Sequence, residues 1–256
     1  VLPVLTLLVI FRFIQHSHQM REDYLNVFNS LINAVIFSVS ILAVISKVEA
    51  QEIPYGVADK EKLNIILRDA KVHLASHEND LNWLKAAGIA SHQLANTKVD
   101  GASEEAVNYL KKATELEPEN AEILAYLGSA YAMAGRDSGF VVNKVSNVNK
   151  GLAALDKAVK KAPRNLNVRF IRGSVSYNLP AMFSRKATAE SDYLFYVNEV
   201  KAGVQADPKR LAEAYFKLGQ IAGEKNQKTE ALGFYKQAQE ASPQSDWAQQ
   251  AGRAMK

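Results

Sequence analysis

Apolar residues recur along most of this chain at steps of three and four, the period of one face of an α-helix. Leu63, Ile66, Leu67 and Leu74 mark such a face over residues 60–76. Val141, Val145, Val148, Leu152, Leu155 and Val159 mark a longer one. Several of these stretches run up to a proline, which cannot continue the hydrogen-bond ladder of the preceding turn. Prolines 118, 163, 208 and 243 each close a similar run: ATELEP, AVKKAP, GVQADP and AQEASP. A new amphipathic stretch begins after each, so the pattern predicts an all-α chain of proline-punctuated helix pairs.

The spacings between those prolines are 45, 45 and 35 residues. Periods of this size indicate stacked repeats. Within the last period stand Tyr215, Leu218, Gly219 and Ala222, then Ala231, Tyr235, Ala238 and Pro243. The unit from Ala121 carries Leu124, Leu127, Gly128 and Tyr131, then Gly151, Leu155, Ala158 and Pro163. Two weaker units surround these. One has Trp83, Ala87, Ala90, Ala106, Leu110 and Ala113; the other has Phe170, Ser174, Tyr177, Tyr196, Val200 and Gly203. The register resembles the tetratricopeptide repeat, in which small residues let two antiparallel helices, A and B, approach closely. The resemblance implies a right-handed helical-hairpin solenoid of about four units over residues 80–243. Each repeat buries its face only against neighbours, so the ends need covers. Residues 51–79 and 244–256, the latter with Trp247 as anchor, are the candidate caps.

The ordinary repeat has about 34 residues, so the 45-residue units carry insertions. The stripe from Val141 predicts that helix B of the second unit is lengthened backwards, with residues 137–139 as turn and cap. In the third unit Pro180 should close helix A, and Phe183, Ala187, Leu194 and Val197 suggest a second lengthened helix. Such extensions would stand above the solenoid edge and wall off part of its concave face, or pack only on each other.

Two apolar runs, 1–14 and 31–45, open the chain. Each is shorter than the roughly 20 residues of a spanning helix. Val48 and Ala50 put small residues where a signal peptidase needs them, so residues 1–50 read as an export segment starting from Met20 and cleaved after Ala50. Residues 1–19 then stand upstream of the start. An uncleaved membrane anchor or a short hairpin of two helices is the alternative, and the anchor is the one route to a membrane that the sequence leads us to expect.

Composition narrows the chemistry. Absence of cysteine excludes disulfides, thiolate metal sites and cysteine nucleophiles. The net charge is +4 with lysines and acids interleaved, which gives no concentrated field for nucleic acid. His73 and His77, one turn after Asp69, have a spacing that can bind metal, but a solvated polar face explains them without one. His92 reads as a partly exposed helix residue. Gly128 is a close-contact position and Gly135 a helix end. Ser103 with Glu104 and Glu105 reads as an N-cap and acidic first turn. Lys157, Lys160, Lys161 and Arg164 suit a helix C-terminus. No catalytic constellation, metal site or cofactor fingerprint emerges.

In the repeat family the groove is lined by set positions of helix A. The resemblance places Glu122, Ala125, Ser129 and Ala132 there, then Val168, Ile171, Val175 and Asn178, then Glu213, Phe216, Gln220 and Gly223. The set is mostly small or apolar and lacks the Lys and Asn pattern that grips a peptide carboxylate. The expectation is a non-enzymatic exported scaffold for a protein or peptide. An apolar small-ligand carrier serving a transport system is the alternative.

Overall fold

The computed structural model describes residues 59–256. The export segment and its cleavage after Ala50 lie outside the described residues, as do positions 51–58 of the N-terminal cap. Among the described residues there are ten α-helices and no strand. After α1 (Lys60–Leu74) come four hairpins: α2 (Leu81–Asn96) with α3 (Ala102–Leu116), α4 (Ala121–Asp137) with α5 (Val141–Lys161), α6 (Leu166–Asn178) with α7 (Lys186–Lys201), and α8 (Pro208–Glu224) with α9 (Lys228–Ala241). The short helix α10 (Asp246–Ala254) follows. Helix α1 packs on α2, and α10 packs on α8 and α9.

Each A helix begins on a side-chain cap. Asp80, Asn120, Asn165 and Asp207 accept hydrogen bonds from backbone N–H groups of the first turn. The B helices α3, α5, α7 and α9 start at Gly101, Phe140, Arg185 and Gln227 without one. Local turn geometry explains two of these. Helices α2 and α8 close in Schellman motifs, with Lys98 and Asn226 in the left-handed region at φ 58° and 63°. Gln227, the third residue of that second turn, is already the position before α9.

The hairpins meet at small residues. A Cβ on Gly128 would lie 2.8 Å from the Gly151 carbonyl oxygen, and one on Gly151 would lie 2.5 Å from that of Gly128. Here α4 and α5 touch backbone to backbone. As the valine stripe predicts, α5 starts at Val141, about three turns before this crossing. Two expectations change. Gly135 does not end a helix: α4 runs on to Asp137, and a Cβ on Gly135 would meet the Lys144 carbonyl at 2.9 Å. Nor does Asp137 cap α5, because Arg136 holds it at 2.6 and 2.9 Å.

The third unit departs further. Its buried helix-B residues are Ala189, Tyr193, Tyr196 and Val197, about two turns earlier than the expected Tyr196, Val200 and Gly203. Gly203, at φ 100°, ends α7 in a Schellman motif through Gly203 N–H to Val200 and Val204 N–H to Glu199. Much of the insertion therefore lies after α7 rather than before it. Pro208 stops nothing; it is the first residue of α8, where its missing N–H costs no bond. In the first unit Gly101 occupies the N-cap and Ser103 is buried inside α3. Glu105 of that acidic turn is held by Lys71 of α1 at 2.5 Å.

The core divides into two clusters that share α6. Val168 and Ile171 pack with Leu84, Leu110, Leu124 and Leu155. Phe170 packs with Tyr193, Tyr196, Phe216 and Tyr235. A charged network crosses the seam. Asp192 of α7, fully buried, accepts from Arg169 at 2.6 Å and from Arg172 at 2.7 and 2.9 Å. Arg172 and Arg185 both reach Asp156 of α5, at 3.1 Å and at 2.6 and 3.0 Å.

Candidate interaction surface

The A-helix positions expected to line the groove fall into two sets. Ala125, Ser129, Val168, Ile171, Glu213 and Phe216 are buried and pack one repeat onto the next. Glu122, Ala132, Val175 and Gln220 are half-buried, and Asn178 and Gly223 are exposed. Long side chains also close much of this face. Glu122 accepts from Asn165 at 2.7 Å and Asn167 at 3.3 Å, and Arg210 donates to Asn167 at 2.6 Å.

His92 belongs to the same packing and is not partly exposed. It is 7% accessible, edge-on to Tyr126 at 5.3 Å, with Nε2 2.8 Å from Ser129 Oγ. Burial, with Arg210 and Arg136 adding repulsion, pushes its pKa down to about 4. His73 is half-buried and His77 exposed, and the face is partly engaged: His73 Nε2 is 3.0 Å from Asp80, and its ring stacks on His77 and Trp83 at 4.6 and 4.9 Å.

A cluster of half-buried groups lies where α6 faces α8. The Tyr177 hydroxyl donates to Gln220 at 2.8 Å across that junction. The Lys217 ammonium sits 4.4 Å from the Tyr177 ring, 4.8 Å from Trp247 and 5.5 Å from Phe216. Lys186 lies 4.1 Å from the Tyr177 ring centroid and reaches Glu224 at 3.2 Å. Burial lowers the Lys217 pKa; Glu213 opposes the shift and Lys186 adds to it. Burial pushes the Tyr177 hydroxyl up to about 12. The result is a cation in an aromatic frame, with Gln220 at its edge and exposed Asn178 on the next turn of α6. Such a frame attracts a cation through the ring quadrupoles, and the cation in turn attracts an incoming anion.

Sequence reasoning found Phe216, Gln220 and Asn178 but not Lys217 or Tyr177. Trp247 was assigned only to the cap. The signal was weak, because the three rings come from three different helices.

The charge pattern needs the same correction. Residues 138–189 hold ten Lys and Arg against one acid, Asp156, so the charges are not interleaved along this stretch. The fold restores the balance by pairing across repeats. Lys161 meets Glu119 at 2.6 Å, Arg164 meets Glu199 at 2.9 Å, and Asp192 neutralises Arg169 and Arg172.

A tetratricopeptide-repeat family model matches residues 212–245, and a second matches residues 100–140. The structure is similar to TTC0263, a thermophilic tetratricopeptide protein of Thermus thermophilus, at 18% identity and a TM-score of 0.59, covering 76% of this chain and 91% of that one. MamA is similar at 21% identity and a TM-score of 0.48, covering 72% and 85% of the two chains. YrrB, a tetratricopeptide protein with an unusual peptide-binding site, is similar at 18% and 0.46, covering 83% and 97%. No curated protein matches by sequence. Residues 100–140 and 212–245 thus match tetratricopeptide repeats, and the described residues share the helical-hairpin solenoid fold of such repeat proteins.

Proposed function

We propose that the protein is a non-enzymatic exported scaffold that binds a protein or peptide partner at the junction of α6 and α8. The observation that carries this reading is the Lys217 frame. Burial disfavours the lysine's charge, so a carboxylate arriving beside it would regain Coulomb energy in a partly dry setting. The rings of Tyr177 and Trp247 offer apolar area to whatever side chain adjoins that carboxylate. The partner is thus a segment with an acidic group next to an apolar one. The family resemblance supports the general role of scaffold. The filled A-helix positions favour this local site over a carrier with a cavity along the groove.

A photo-crosslinking amino acid at exposed Asn178, in the full chain expressed in its own cell, tests the site. A discrete protein adduct is expected at 178, absent from a control probe at Glu230 and lost in Lys217→Met. The same adducts at both probes, or an adduct indifferent to Lys217, would refute the assignment. Export is tested separately by N-terminal sequencing of extracytoplasmic protein, which should begin at Gln51.

A further inference from the structure

The lengthened start of α5 does not fold over the concave face. Residues 139–146 are all exposed, and the helix first meets α4 where Lys144 and Val148 pass Gly135. This projecting end carries Phe140, Val141 and Val142, with 76%, 73% and 79% of their surface accessible, and Val145 at 36%. Exposing three consecutive large apolar residues has a cost, and no neighbouring helix offsets it. Met182, 75% accessible, lies in the hairpin turn of the next unit, on the same edge of the solenoid.

Two features identify the occupant. The first is shape. Val141 and Val142 are about 100° apart on the helix, and Phe140 is its extended N-cap residue, so the three do not share one helix face. A groove on a folded partner covers one face of a helix end. A fluid hydrocarbon boundary takes in all three directions at once. The second is charge. From Ser138 to Leu155 the chain holds Lys144 and Lys150 and no acid. Of the carboxylates in or beside the hairpin turns, Asp137 is held by Arg136, Glu190 by Lys225 and Glu224 by Lys186, while Asp100 in the α2–α3 turn is exposed. An apolar tip backed by lysines suits an interface of acyl chains beneath anionic headgroups.

We infer that the N-terminal end of α5 is a membrane-docking finger that inserts Phe140, Val141 and Val142 into an anionic lipid surface, with Lys144 and Lys150 against the headgroups. No helix among the described residues is long and apolar enough to cross a membrane, so the contact is peripheral. It is independent of the partner site at Lys217 and of the export segment.

The chain lacks cysteine, so a single Val142→Cys carries an environment-sensitive fluorophore at the tip of the full-length protein. Gly233→Cys, exposed on α9, serves as the control. With phosphatidylserine vesicles the label at 142 should shift to the blue and lose its quenching by aqueous iodide, while the label at 233 should not. Any vesicle binding by the N-terminal segment is common to both and does not move a tip label. Lys144→Gln and Lys150→Gln should each weaken partitioning about fivefold, and phosphatidylcholine vesicles should give a much smaller response. A label at 142 that stays fully quenchable, or two labels that respond alike, would overturn the inference. So would a blue shift that grows with protein concentration without vesicles, which would assign the finger to a second copy of the chain.

Discussion

Replacing Asp192 with alanine would leave the guanidinium groups of Arg169 and Arg172 facing an empty site in the seam. The carboxylate is fully buried and takes three hydrogen bonds of 2.6 to 2.9 Å. Breaking a buried pair by removing one partner costs about 3–5 kcal/mol, because the remaining charge is uncompensated. Two features place the loss near the lower end. Arg172 keeps Asp156 at 3.1 Å, and Arg169 keeps the Phe195 ring at 4.5 Å. For a body of this size each kcal/mol lowers Tm by about 2–4 °C, so a fall of roughly 6–12 °C is expected. The shape of the transition carries more information. Repeat arrays are coupled mainly through nearest neighbours, and this network spans the boundary between the two core clusters. Calorimetry of Asp192→Ala should show the transition broaden or split. Replacing Asp192, Arg169 and Arg172 together by apolar residues of similar volume should recover most of the lost stability. A variant that melts within about 1 °C of the parent in one sharp transition would refute this account.

Three further perturbations test the packing. Gly128→Ala and Gly151→Ala drive a methyl group into backbone at the α4–α5 crossing and should cost about 1–3 kcal/mol or more. Gly233→Ala has open space and should stabilise by about 0.5–1 kcal/mol, so chemical denaturation should give opposite signs for the two sites. His92 titrates near 6.5 when unfolded and near 4 when folded, so it stabilises the native state fully above pH 6.5. About 3 kcal/mol of that is lost as pH falls from 6.5 to 4. Urea titrations should show the slope, and His92→Gln should remove it between about pH 6.5 and 5, above the range where Asp80, Glu119 and Asp137 contribute. Lys98 holds the left-handed region at φ 58° without being glycine; Lys98→Gly should raise stability by about 1 kcal/mol by thermal melting, and a loss would mean the lysine side chain has a structural role.

Much of this architecture was legible because repeat packing constrains residue size at fixed spacing. Gly128, Leu155 and Ala158 could be placed from sequence because each sits where two helices touch. The long α5 was legible because Val148, Leu155 and Val159 carry the contact period that Val141 and Val145 begin. Pro208 misled because a proline suits the first turn of a helix as well as the residue after one, and Gly203 was the real stop. His92 and Lys217 were hidden for another reason. Their burial depends on neighbours far along the chain, such as Tyr126 and Trp247, and a local periodicity does not describe what covers a side chain. The candidate site was only partly visible for the same reason.

Helix α6 belongs to two cores, and this orders events during synthesis. A chain leaving the ribosome has every residue of the first cluster once Ile171 has emerged. That half can therefore collapse while α7 to α10 are still untranslated, as domains do in N-to-C order. In that interval α6 displays Phe170 with none of its eventual aromatic neighbours. The nascent protein thus carries a short-lived adhesive stripe, which Tyr193 and Tyr196 retire only when the next stretch of chain, through α7, arrives. A translational pause just after α6 would lengthen that exposure. Co-translational aggregation, rather than the stability of the finished molecule, is where synonymous changes in this stretch would register.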